Sequence, residues 1–200
     1  MTLPEHALCS AMLAEFGMRE RYGWRGTLAM IVAGIAPDLD TAAKLVGDRE
    51  FWQLHHALGH GVLPVLLLSL AIAGLARYLG GLKPFGYVLG WCLVAAAAHI
   101  FTDSLYWWGV QFFWPFSSWE RAFHVLEYLD LFVLGIWLTG GVCLYKYPKR
   151  GRRIAGSTLA LFATYVALRA MAPQPTGVLK LLMGGWIYAA PERTPVLDWW

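Results

Sequence analysis

Charge is scarce in this chain. Asp, Glu, Lys and Arg make up 14% of its 200 residues, while hydrophobic types make up 58%, and the mean hydropathy is +0.49. A soluble domain carries about a quarter charged residues, so an ordinary water-soluble globule is excluded. The net charge of +3 is small and the basic residues are gathered by topology, so no nucleic-acid partner is indicated. Cysteine is also rare. Cys9, Cys92 and Cys143 lie far apart in apolar segments without a CxxC pairing, which makes them packing residues rather than thiolate ligands or a disulfide. There is no run of alternating ten-residue strands of the outer-membrane barrel type, no internal repeat and no low-complexity tract. The start, "MTLPEHALCSAMLAEFG", has Glu5 and His6 where a secretory signal needs a basic region, so insertion is expected to rest on internal spans.

What is present is long apolar blocks. Residues 62 to 79, 86 to 108, 128 to 147 and 154 to 171 are each long enough for a helical span. Residues 4 to 18 and 24 to 36 are shorter and read as a helical hairpin that is tilted, kinked or partly re-entrant. The expected fold is therefore all-α, a polytopic membrane bundle of five to six helices over residues 1 to 172. A proline-rich segment, 173 to 200, follows; its ending "APERTPVLDWW" reads as an interruption, and a longer natural chain is expected. Lys and Arg collect on the cytoplasmic side of short loops. Placing loops 19 to 25, 77 to 85 and 146 to 153 inside puts ten of the 16 basic residues there. The chain's histidines and many of its aspartates then fall outside, and Trp107, Trp108, Trp114 and Trp119 form an outer aromatic belt.

The outer set is where chemistry is expected. In "HIFTD" (99 to 103), His99 and Asp103 stand at i and i+4 on one helix face, a spacing that lets two side chains grip one metal ion. An interhelical hydrogen bond is the other reading. An ionisable residue inside a span costs roughly 2.5 to 3.5 kcal/mol on insertion scales, so a partner is required. "PDLD" (37 to 40) offers Asp38 and Asp40 after a short helix, and "QLHHALGHG" (53 to 61) crowds His55, His56 and His60 at the mouth of a span. His6 and, just before the fourth span, His124, Glu127 and Asp130 complete the set, the last two also suited to favouring a helix N-terminus. Converging His and Asp without Cys describe an oxygen and nitrogen site for zinc, iron or manganese, with ligands enough for two ions.

In order, His6, "PDLD", "HHALGHG" and "HIFTDSLYWWGVQFFWP" resemble the YdjM/YbcI-like membrane-bound, metal-dependent hydrolases of bacteria and archaea over roughly residues 1 to 140. The resemblance implies a cytoplasmic-membrane protein and matches His55 and His60 to two motif histidines. His56 stands where that family has Arg, Gly59 where it has Thr and Gly61 where it has Ser. A more distant likeness, of fold-level analogy only, is to zinc-dependent phospholipase C and the P1-type nucleases, which carry a similar HxxxD helix. The expected ligands are His6, Asp38, Asp40, His55, His60, His99, Asp103 and Asp130 around zinc, with Asp38 as general base for hydrolysis of a lipid phosphoester. Lys44, Arg49, Arg121 and His56 are the groups available to contact substrate. The rival readings are a metal-binding transporter, which would want ligands near the midplane, and a structural protein with a closed metal site.

Overall fold

A computed structural model describes residues 2–39, 59–106, 109–127 and 129–171. Asp40, Lys44, Arg49, His55, His56, Trp107, Trp108 and the segment from 173 onward lie outside the described residues. The described chain is all-helical, with α1 (Leu3–Ala14), α2 (Met18–Tyr22), α3 (Trp24–Ile35), α4 (Val62–Gly80), α5 (Phe85–Ser104), α6 (Leu131–Lys146) and α7 (Gly151–Met171). Three helical stretches, Val62–Gly80, Phe85–Ser104 and Pro148–Met171, are long and apolar enough to cross a membrane. At 1.5 Å per residue α6 reaches only about 24 Å. It is shorter than the apolar run 128 to 147 because Asp130 caps it, accepting from the backbone N–H groups of Phe132 (2.9 Å) and Val133 (3.2 Å). Likewise α5 stops at Ser104 rather than continuing through the tryptophans.

The short N-terminal helices fill the middle. α1 packs on α3, and α1 also touches α5, α6 and α7, while α3 packs on α4 and α5. One core cluster joins Cys9 and Met12 of α1 to Val133 and Trp137 of α6 and Ala155 and Phe162 of α7. A second joins Ala14, Met18, Ala29, Met30 and Ala33 to Ala73 of α4 and Val88, Cys92 and Ala95 of α5. Small residues permit these approaches. A methyl group on Gly34 of α3 would collide with the Ser10 side chain of α1, and one on Gly140 of α6 would meet Thr158 of α7.

The surface is apolar where the interior is polar. Leu67, Leu75, Val94, Leu138, Val142, Leu161 and Leu168 are exposed, while Glu5, His6, His60, His99, Asp103, Asp130 and Arg169 are buried. In water this would expose a costly apolar belt; in a bilayer those side chains meet lipid. The two ends of the bundle differ as well. At one end Tyr22 donates to the Lys83 carbonyl at 2.5 Å, Arg152 lies over Phe16, and Glu15 pairs with Arg19. At the other end are the start of α1, the ends of α3 and α5 and the start of α4, and these carry the histidines and aspartates.

Candidate metal centre

Four segments deliver one side chain each or, for α5, two. Asp38 sits in the 3₁₀ turn over residues 36 to 39 that finishes α3, where the "AP" step ends the helical run. His60 lies two residues before α4. His99 and Asp103 stack one turn apart at the end of α5. The neighbouring hydroxyls bond within the helix, Thr102 to the carbonyls of Ala98 (2.9 Å) and His99 (2.8 Å) and Ser104 to that of Phe101 (2.6 Å). His6, on the first turns of α1, completes the group.

Asp38, His60, His99 and Asp103 are all buried and each brings one ligand atom to within 4.8 Å of the other three. The edges among three of them are short: His60 Nε2 to Asp103 Oδ2 3.2 Å, His99 Nε2 to His60 Nε2 3.2 Å and His99 Nε2 to Asp103 Oδ2 3.3 Å. Asp38 Oδ1 is 3.5 Å from His99 Nε2 and 3.9 Å from His60 Nε2. A tetrahedral zinc with bonds of 2.0–2.1 Å has ligand atoms about 3.3 Å apart, so the edges among His60, His99 and Asp103 match such an ion and Asp38 lies slightly farther out. The His99 tautomer agrees. Its Nδ1 donates to the Gly34 carbonyl at 2.6 Å, which leaves the Nε2 lone pair facing the centre, the outer-sphere arrangement usual for metal-bound histidine.

The electrostatics favour a cation here. Two buried carboxylates flanked by imidazoles are costly unless a positive charge sits among them.

His6 lies against this group. Its ring stacks on that of His99 with centroids 3.7 Å apart and planes at 22°, and its Nε2 is 3.1 Å from Asp103 Oδ1. Asp130 stands outside the set of four. Besides capping α6 it accepts a 2.6 Å hydrogen bond from the Tyr165 hydroxyl, so both its oxygens are engaged in holding α6 and α7. Arg121 is exposed, with its guanidinium over Trp119 and Phe123. It belongs to a loop that returns over the same end of the bundle, pinned by a Val110–Arg121 bridge and by the Val62 N–H donating to the Phe112 carbonyl at 2.9 Å. His124 is exposed and Glu127 partly so. Gly34 is the functional residue that sequence reasoning missed. A backbone carbonyl leaves no side-chain signature, and the only visible sign was a glycine inside the apolar run "MIVAGIAPD".

The comparisons with known proteins agree with this picture at the level of family. A 121-residue stretch, 57% of this chain, is 27% identical to the uncharacterized protein YfhP of Bacillus subtilis (strain 168). That match covers 37% of the length of YfhP, so the chain spans well under two thirds of this relative. No solved structure matches, and the comparison with phospholipase C and the P1-type nucleases stays one of chemistry. A family model described as YdjM inner membrane protein matches residues 1–176, further than the motifs alone reach, and on that match the chain belongs to the YdjM inner membrane protein family.

Proposed function

We propose that this chain is a membrane-bound, metal-dependent hydrolase that cleaves a phosphoester of a lipid or lipid-linked substrate. The observation that carries the proposal is the His99 relay. With Nδ1 anchored on Gly34, Nε2 meets His60 Nε2, Asp103 Oδ2 and Asp38 Oδ1 at spacings suited to one bound ion. Those four residues would hold the ion, zinc by ligand type with manganese or iron as alternatives. When bound, a divalent metal lowers the pKa of water and polarises a phosphoryl oxygen. The residues supply the rest. Asp38, at 8% the most exposed of the four, marks the side of the group on which water would enter. Arg121, on the loop covering the same end, is placed to meet a phosphate at headgroup depth. The collection of Lys and Arg at the opposite end supports an orientation with the centre facing out from the cytoplasm.

A structural role for the metal is the second reading. It is favoured by the same four groups, since four protein ligands close a tetrahedral shell. One experiment separates the two. Metal is quantified by elemental mass spectrometry on detergent-purified wild type and His99→Ala, and both are then assayed against mixed micelles of phospholipids and lipid phosphates. Bound metal and phosphate release in the wild type, both lost in His99→Ala, support the hydrolase. Bound metal with no turnover of any phosphoester supports the structural reading, and no bound metal in either protein overturns both.

A further inference from the structure

The four-residue centre leaves His6 unexplained. It is 1% exposed, and neither ring nitrogen has a hydrogen-bond partner. Nε2 approaches Asp103 Oδ1 to 3.1 Å and Asp38 Oδ2 to 3.9 Å without bonding alignment. A buried imidazole with both nitrogens unbonded is rare in a folded protein and calls for a ligand.

The carboxylates divide their oxygens between two groups of imidazoles. Asp103 presents Oδ2 to His60 and His99 and Oδ1 to His6. Asp38 presents Oδ1 to His60 and His99 and Oδ2 to His6. We infer that the site holds a second divalent cation beside the first, bound by His6 Nε2, Asp103 Oδ1 and Asp38 Oδ2, with both carboxylates bridging the pair. This rests on the reading that the four-residue group holds the first ion.

The ring geometry supplies the spacing. His6 and His99 are near-parallel with centroids 3.7 Å apart, and each turns its Nε2 to a different oxygen of the same two carboxylates. Two ions so held would be close neighbours sharing both carboxylates, as in two-metal hydrolytic sites. Among the described residues three side chains face the second position and four the first. The charge balance then names the substrate class. Among the described residues two carboxylates face the pair, so one divalent ion would neutralise them and a second would leave an excess of two positive charges, which an anionic phosphate group would offset. The two ions are also unequal. His99 is anchored through Nδ1 on Gly34 and His6 is not, so the ion on His6 binds more weakly and leaves first.

The test is manganese loading of the detergent-purified chain, read by elemental mass spectrometry and by electron paramagnetic resonance. The expected result is two ions per wild-type chain with a spin-coupled spectrum. His6→Ala should retain one ion and show an uncoupled spectrum, and His99→Ala should lose the first ion. A wild type saturating at one uncoupled ion overturns the inference and leaves the first reading intact. A wild type that binds no manganese or zinc sinks that reading with it. If His6→Ala does not fold, the wild-type stoichiometry and spectrum alone decide.

Discussion

The Gly34 carbonyl holds the His99 ring through Nδ1, and the Ser10 side chain of α1 occupies the space where a Gly34 side chain would begin. Gly34→Ala drives a methyl into Ser10, and overpacking of this kind costs about 1–3 kcal/mol. Because the same carbonyl orients His99, metal affinity should fall about 10- to 100-fold as well, the usual effect of disturbing an outer-sphere partner. Thermal melts and zinc titrations in detergent check both, and Ser10→Gly in the same chain should restore them together by removing the obstacle. If the melt recovers and the affinity does not, the carbonyl is not what orients the ring. Acid is the other probe at this scale. Ligand imidazoles must be neutral, so occupancy should drop as acid protonates them. Occupancy unchanged down to pH 5 would argue against histidine ligation. The sequence made His99 and Asp103 legible because the helical period alone puts them on one face. It could not reveal Gly34, whose contribution is made by the main chain.

Among the elements, α6 shows how one residue type serves two purposes. An aspartate before an apolar run suits a metal ligand or a helix cap, and nothing in "HVLEYLD" separates the two; Phe132, Val133 and Tyr165, gathered by folding, show the capping contacts. Asp130→Ala should therefore lower stability by about 0.5–2 kcal/mol, as cap removal does, while metal content measured by mass spectrometry stays at the wild-type value. Loss of metal together with stability would return Asp130 to the ligand set. The spans were easier to read, since α4, α5 and α7 follow directly from unbroken apolar length. Their exposed leucines carry their own expectation. Leu70→Asp on α4 faces outward and should cost about 2.5 to 3.5 kcal/mol of insertion. Membrane fractionation would show the loss, and full insertion at wild-type level would mean that this face meets protein or water.

For the molecule as a whole, ion and fold are coupled, because the ligands come from α1, the turn after α3, the approach to α4 and the end of α5. A ligand present at 1,000 times its dissociation constant adds about 4 kcal/mol to stability, so a chelator should lower the melting temperature of the wild type and leave that of His99→Ala unchanged. Orientation is tested by single-cysteine labelling in intact cells: position 121 should react with an impermeant reagent and position 150 should not. The reverse pattern would place the centre on the cytoplasmic face. The packing of α1 carries a further consequence, for biogenesis. At 12 residues it reaches about 18 Å, short of a hydrocarbon layer of about 30 Å, so it cannot settle across a bilayer alone. Its flanks belong to α3 and α5 on one side and to α6 and α7 on the other. Among the described helices, α1 thus precedes in the chain every helix that encloses it. Met12 gains its partners Ala155 and Phe162 only once α7 is made, so the seat of His6 beside Asp103 is closed on its far side late in synthesis.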